Sequence, residues 1–400
     1  MVCGMSLPSR KSPLSYGFAG MAGMAVGMGI GRFVYTPLLP IMMDRLGLST
    51  SQAGWIASAN YLGYLFGAVI AVGAWAHGRE RSVMLAALAA NAALAAAMAL
   101  TENVAAFLLI RFGAGIASAF LLVFLSTIVF SRLAEHGRSD LQALHFGGVG
   151  LGIALSSLLT GWMHIVGAGW RSGWYGSALL ALAGLVITAA LAPEGPVRTG
   201  EARREPPVRW TPPLIKLTFA YGVFGFGYIV TATFLIAIVR HQESGGLFES
   251  VVWLVTGIAA IPSLFLWHAL AVRVGHAMTF AIGAIVEGIG VVASVSLGGF
   301  AGPLIGGFLL GGTFIAITAI GLQGGRLLAA SSPRRVLALM TAAFGVGQII
   351  GPIVGGTLAD MTGSFLIPSL LAAAALLLSG FAAFSARYQM PAAAAARQGS

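Results

Sequence analysis

The stretch GMGIGRFVYTPLLP, residues 27–40, sets one arginine, Arg32, inside an apolar run that extends from about Tyr16 to Met43. The reading of that run decides the fold. It exceeds the roughly 20 residues that cross the ~30 Å hydrocarbon core of a bilayer. It is too long for the apolar region of a secretory leader and has no cleavage-like end, so it reads as a retained membrane span. Outward from it, comparable runs recur with short polar breaks, at 16–42, 52–75, 83–101, 104–130, 140–165, 171–191, 214–239, 251–271, 277–297, 300–322, 336–358 and 364–386. Composition agrees: 58% of the 400 residues are hydrophobic and 8% charged, against about a quarter charged in a soluble domain. The chain reads as an all-α protein of the lipid bilayer with 12 transmembrane helices.

The net charge of +10 raises the question of nucleic acid, and its distribution answers it. Of the 22 lysines and arginines, Arg45, Arg171 and Arg240 fall in loops on one side, and Arg32 and Arg111 within spans. The other 17 lie on the side of the N-terminus. This is the positive-inside asymmetry, which places both termini in the cytoplasm and needs no nucleic acid. It also supports the number of spans, because adding or removing one would scramble the alternation. The one cysteine, Cys3, precedes the first apolar run and belongs to no disulfide or metal framework.

The main shift in composition is APEGPVRTGEARREPPVRWTPP, residues 192–213, a Pro-rich and charged linker between spans six and seven. It divides the chain into an N-terminal six-helix bundle (1–191) and a C-terminal one with a short tail (214–400). Internal repetition supports the cut. Gly27-x-Gly29 matches Gly225-x-Gly227 at an offset of 198 residues, and GVGLG at 148–152 matches GVGQ at 345–348 at 197. The basic loop with Arg132 and Arg138 falls near Arg334 and Arg335 at about that distance. Parallel halves flanking a midplane site are one plan for secondary transporters. Gly20, Gly23, Gly27 and Gly31 form a stripe at helical spacing, which lets neighbouring backbones approach closely in lipid. The glycine-rich stretches lack the strand–turn–helix context of a dinucleotide fingerprint.

GIGRFVYTPLLP at 29–40, ASANYLGYLFGA at 57–68 and TAAFGVGQIIGP at 341–352 together resemble the YbfB/YjiJ-type branch of the major facilitator superfamily. The resemblance covers essentially the whole chain. It implies two parallel, pseudo-symmetric six-helix bundles around a cavity that opens alternately to either side. Spans one, four, seven and ten would line that cavity, with two, five, eight and eleven flanking them. RFGAGIASA at 111–119 is similar to the superfamily's span-four motif, so its functional arginine carries over to Arg111. The run from Gly347 to Gly356, with Pro352, is similar to the glycine–proline motif of drug antiporters, but here it lies in span eleven, and span five lacks the proline. In GAWAHGRERS at 73–82, similar to the superfamily's loop between spans two and three, His77 stands where an aspartate is usual.

Arginine at membrane depth is costly, so it faces protein or water and marks function by default. In the N-terminal half the carboxylates lie at span ends or in loops and none lies deep within a span, and two uncompensated guanidinium groups point to an absent anion. A substrate carboxylate fits their planar fork of donors. The competing reading is internal satisfaction: Pro37 and Pro40 remove the amides that would bond the carbonyls of Phe33 and Thr36, so these freed carbonyls would satisfy Arg32, and Arg111 would serve as interhelical glue. Tyr35 and Thr36 follow Arg32 on its helix face, and Asn60 and Tyr64, four residues apart, sit at comparable depth on the next span. In the second half Tyr228 and Gln348 are the counterparts, and Val230 stands where Arg32 would repeat. Each of these polar side chains has an alternative reading as an interhelical hydrogen bond. Glu287, the one carboxylate deep inside a span, and His145 are the candidates to carry a coupling proton; the competing reading for both is structural.

No HExxH, GxSxG elbow, Walker loop or Cys/His cluster is present, so neither enzymatic activity nor a cofactor or metal is expected. The sequence reads as a secondary active transporter of the cytoplasmic membrane that moves a small organic solute, anionic or amphipathic, by alternating access. Two rivals stand beside it: a proton-coupled efflux pump for drugs or cations, and a non-transporting receptor or scaffold with the same fold.

Overall fold

A computed structural model describes residues 12–71, 73–195, 205–241 and 245–387. Cys3, the middle of the 192–213 linker and the C-terminal tail lie outside the described residues. The described residues form helices without strands. Twelve segments are long and apolar enough to cross a membrane. Six precede the linker: α1 (Pro13–Met24) with α2 (Tyr35–Leu46), then α3 (Thr50–Ala71), α4 (Glu80–Met98), α5 (Val104–Glu135), α6 (Gln142–Val166) and α7 (Trp170–Leu191). Six follow it: α8 (Pro212–His241), α9 (Gly246–Val274), α10 (His276–Ser296), α11 (Ala301–Leu328), α12 (Pro333–Thr362) and α13 (Leu366–Arg387). Helix ends follow local chemistry. Asn103 caps α5 by accepting from the Ala106 amide at 3.2 Å, and Gly47 ends α2 in the left-handed conformation at φ +63°, which glycine adopts without a Cβ clash. The expected spans all recur as helices, several of them one or two turns longer than their apolar runs.

The packing partners repeat from one half to the other. In the first half α3 packs on α5, α4 on α5 and α7, and α1 on α6 and α7; in the second, α9 packs on α11, α10 on α11 and α13, and α8 on α12 and α13. The halves meet where α2 lies against α8 and along two longer seams, α3 against α12 and α6 against α9. The helices of the two longer seams are spans two, five, eight and eleven, the flanking set. The first and seventh spans are the most enclosed, with 78% and 83% of their most apolar windows buried against 28% for the sixth, so they run through the centre.

The seams are tied between mid-depth and the face opposite the linker, here termed the far face. Thr36 Oγ1 donates to the Ala232 carbonyl at 2.7 Å and Ser58 Oγ to that of Ile349 at 2.7 Å. Ser157 Oγ donates to the Ser250 carbonyl at 2.5 Å. At the far face itself, Asp360 on α12 accepts from the amides of Thr50 and Ser51, the first residues of α3, at 2.8 and 2.7 Å. Arg240 bridges Asp44 of the first half and Glu249 of the second. Glycines bring the backbones together: a Cβ on Gly150 would stand 2.6 Å from the Gly257 carbonyl oxygen.

Candidate functional site

The site begins with a fault in the first span. Between α1 and α2 the helix widens into a π-turn over Ala25–Ile30, followed by an irregular turn over residues 31–34. The Gly31 amide bonds Val26 O at 2.7 Å and the Phe33 amide Met28 O at 3.3 Å, five residues back. Pro37 and Pro40 follow this stretch, and neither has an amide to bond the carbonyl four residues back, Phe33 O and Thr36 O. The Thr36 amide turns to Phe33 O at 3.2 Å, which leaves the Arg32 carbonyl without its helical partner. A π-bulge of this kind commonly accompanies function.

Arg111 fills that gap. Its Nη1 donates to Gly31 O and its Nη2 to Arg32 O, both at 2.9 Å, and its guanidinium lies 5.1 Å from the Tyr35 ring centre. Of the two guanidinium groups expected to await an anion, this one is therefore committed to protein through both terminal nitrogens, while its Nε is buried without a partner. The competing reading for Arg32, satisfaction by the carbonyls of Phe33 and Thr36, is not what these bonds show: the held arginine is Arg111, and the carbonyls are those of Gly31 and Arg32, in the turn at 31–34.

Arg32 is different. It is 3% exposed, and its Nε and Nη2 are buried with no hydrogen-bond partner. Its guanidinium rests against rings instead: Tyr64 at 4.4 Å, Tyr61 at 5.0 Å and Phe33 at 5.6 Å from centroid. A desolvated cation–π contact is worth on the order of 2 kcal/mol, so the tyrosines together roughly offset the ~2.5–3.5 kcal/mol of placing arginine at the membrane centre. The donors on the Nε/Nη2 edge remain unmet.

That edge has a built counterpart in the same molecule. Arg240 presents Nε and Nη2 side-on to Glu249, each at 2.7 Å from a carboxylate oxygen. Two parallel N–H···O bonds of this kind are the strong, planar mode of carboxylate recognition. In Arg32 the same two nitrogens are free.

The remaining candidates divide between packing and the cage. Asn60 Nδ2 donates to the Arg111 carbonyl at 3.0 Å, which ties α3 to α5, while its Oδ1 is buried without a donor. Tyr35 OH donates to Ala53 O at 3.1 Å. Tyr64 joins the cage by its ring face. Across the seam, Gln348 Nε2 donates to Tyr228 OH, and Gln348 Oε1 is buried and unpartnered. Tyr228 belongs to a stack, its ring within 12° of parallel to Phe344 at 5.5 Å and to Phe314 at 5.9 Å. Phe33 meets Phe314 edge-on at 5.4 Å, so rings run without a gap from Arg32 into the second half. Sequence reasoning missed Tyr61, Phe314 and Phe344. Tyr61 was detectable, because it lies three residues before Tyr64 on the same face; the phenylalanines carried no signal, since an aromatic in a span equally suits lipid or core.

Both proton candidates sit in helix interfaces. Glu287 Oε2 pairs with Thr313 Oγ1 on α11 at 2.8 Å, and its Oε1 is buried without a partner. His145 Nε2 shares a hydrogen bond with Ser126 on α5 at 3.0 Å, and its ring stands edge-on to Phe130 and Phe146. Gly20 makes room for it, as a Cβ there would strike the imidazole. Among the described residues no group of three His, Cys, Asp or Glu is placed to hold a metal. A separate far-face pocket of about 330 Å³ lies above the centre, lined by Pro40, Asp44, Thr50, Arg240 and Phe365 among others.

Comparison with known proteins agrees with this architecture. Residues 24–384 match the family model described as "Uncharacterised MFS-type transporter YbfB". The chain is 26% identical over 350 residues to the uncharacterized MFS-type transporter YceJ of Bacillus subtilis (strain 168), covering 84% of this chain and 81% of that protein. It is 31% identical over 182 residues to a gallate transporter of Pseudomonas putida, covering 45% of this chain and 40% of that protein. Among solved structures, the nucleoside transporter NupG superposes with a TM-score of 0.71 at 16% identity, over 95% of this chain and 99% of that one. A bacterial homolog of the human lysosomal transporter Spinster, in an inward-facing and occupied conformation, superposes with a TM-score of 0.68 at 14% identity, over 94% and 96%. These last two likenesses establish the fold, and the family match over nearly the whole chain establishes the lineage: the chain belongs to the YbfB-type family of MFS transporters.

Proposed function

We propose that this protein is a secondary transporter of small organic carboxylates and that Arg32 is the residue that takes the substrate's charge. One observation carries the reading: a buried guanidinium whose Nε/Nη2 edge is free, in a protein that uses the same edge of Arg240 to clamp a carboxylate. The gallate transporter among the relatives carries an anion by its name, which supports the reading over the part of the chain it matches. Arg111 acts as a positioning residue that holds the faulted backbone presenting Arg32.

The alternating-access scheme of the fold assigns movement to the two halves, 1–191 and 214–400, joined by the 192–213 linker. With the lysine- and arginine-rich linker face in the cytoplasm of a bacterial-type cell membrane, the ties clustered toward the far face describe a carrier sealed on its outer side. The substrate then enters as the halves part. A cation-efflux reading would need an acidic group where Arg32 stands; Glu287 instead pairs with Thr313 between α10 and α11, where it or His145 is available to carry a coupling proton. A receptor or scaffold would move no solute.

Uptake or counterflow of radiolabelled organic acids in proteoliposomes tests the reading. Saturable carboxylate flux that falls by at least tenfold in Arg32→Gln supports it. Cation flux that is indifferent to that substitution refutes it, and the absence of any flux favours the scaffold.

A further inference from the structure

Thr313 Oγ1 lies 2.6 Å from Leu309 O, 3.2 Å from Leu310 O and 2.8 Å from Glu287 Oε2. A hydroxyl has a single hydrogen to donate. The nearest acceptor takes it, the carbonyl four residues back that threonine commonly bonds within a helix. The hydrogen in the contact with Glu287 then belongs to Glu287, whose Oε2 donates as a carboxylic acid to Thr313 Oγ1. From this count we infer that Glu287, and not His145, is the site of the coupling proton, that it is loaded while the far face is closed, and that the contact of Phe33 with Phe314 links it to Arg32. The link rests on the assignment of Arg32 to the substrate's charge; the proton site does not.

The surroundings of the carboxyl agree. Glu287 is 1% exposed, its Oε1 has no donor, and the ion pairs among the described residues do not include it. A buried carboxylate with one hydrogen bond and no cation bears a desolvation cost that the group escapes by keeping its proton. The helices packed on α10 are α8, α9, α11 and α13. Their charged residues and histidines stand within two turns of the helix ends, and the titratable group close enough to Glu287 to interact with it is the phenol of Tyr228. His145 imposes no such count, because its one hydrogen bond, to Ser126, is open to either tautomer.

The sequence neighbours of the two sites touch. Phe314 follows Thr313, and its ring meets that of Phe33 edge-on at 5.4 Å. Phe33 follows Arg32, whose guanidinium lies 5.6 Å from its ring centre. Arg32, Phe33, Phe314, Thr313 and Glu287 thus form a continuous series from the first half into the second. When the proton leaves Oε2 for water, the carboxylate that remains has no donor, and the Thr313 hydroxyl turns from Leu309 O to serve it. That exchange alters the bonding of the helical turn that carries Phe314, which leans on the residue beside Arg32. A monocarboxylate that crosses together with this proton carries no net charge, so a pH gradient drives its accumulation and the membrane potential does not.

Infrared spectroscopy of the purified protein reads the proton site without a ligand. A protonated carboxyl has a C=O stretch that a carboxylate lacks; the predicted spectrum at neutral pH contains this band, which shifts in D2O, moves in Thr313→Val and is absent from Glu287→Gln. Glutamine matches the acid in shape and can donate to Thr313 Oγ1, so retention of the parent melting temperature shows that the variant is folded. A parent spectrum without the band, or a band that survives Glu287→Gln, overturns the proton site. Proteoliposomes supplied with radiolabelled benzoate, gallate and lactate read the coupling. An alkaline interior should drive accumulation where an imposed potential does not. In Glu287→Gln, accumulation should fall at least tenfold more than counterflow, and in Phe314→Leu about threefold more. Accumulation in Glu287→Gln that still follows the pH gradient overturns the coupling and leaves the carboxylate reading standing. Absence of flux of all three acids in the parent overturns the carboxylate reading and with it the link to Arg32, while the infrared band still decides the proton site.

Discussion

Arg111 donates to two backbone carbonyls of the first span, whereas Arg32 rests among aromatic rings with its Nε and Nη2 unpartnered. The two residues should therefore respond oppositely to removal. Arg111→Leu orphans the Gly31 and Arg32 carbonyls, each worth about 1–3 kcal/mol when buried without a donor. A loss on the order of 3 kcal/mol, seen as a lower melting temperature in detergent, is the expected result. Arg32→Leu relieves unmet donors in an apolar setting, so its melting temperature should be unchanged or higher while carboxylate binding disappears. Arg32→Lys keeps the charge without the planar fork, and binding should fall by at least tenfold. The presence of Arg32, Tyr64, Asn60 and Gln348 near mid-depth was legible in the sequence, because polar residues in apolar runs stand out. Which arginine donates to backbone through both terminal nitrogens was not, since that depends on carbonyls at a turn 80 residues away along the chain from Arg111.

At the scale of the element, the first span is the informative case. Its apolar run reads as one helix, and Pro37 and Pro40 mark where the ladder fails, but the π-turn over Ala25–Ile30 has no sequence signature of its own. The turn packs closely against α6. That packing is testable. A Cβ on Gly29 would stand 2.5 Å from Gly152 Cα and 2.9 Å from Val149 O, both backbone atoms that cannot turn aside. Gly29→Leu should destabilise by about 3 kcal/mol, the upper end of overpacking costs, with loss of monodisperse protein in size-exclusion chromatography as the readout. The glycine stripe was legible as a packing face. Its partners were not: Gly20 accommodates His145 and Gly27 accommodates Leu121, pairings that depend on how α1 lies across α5 and α6.

For the whole molecule, twelve spans and their repetition could be read from hydropathy, loop charge and the matching glycine motifs. The seams could not, because nothing in one helix names its partner in the other half. The far-face tie is the most specific of them: the Asp360 carboxylate caps the first two amides of α3 across the seam, where the helix N-terminus favours a negative charge by about 0.3–1 kcal/mol. Asp360→Asn should shift the balance toward separation of the far face by up to about fivefold, since ~1.4 kcal/mol is a factor of ten. Spin labels on the exposed Arg45 and Met361 positions would report this as a larger long-distance population, and an unchanged distribution would remove the cap from the closure of that face.

Transport of a carboxylate, on this view, depends on the free edge of Arg32. Carboxylate counterflow in proteoliposomes, compared between the parent protein and Arg32→Gln at matched reconstitution, measures that dependence most directly. Exchange that is saturable in the parent and reduced at least tenfold in the variant is the predicted result; exchange of equal rate and affinity in both would contradict it.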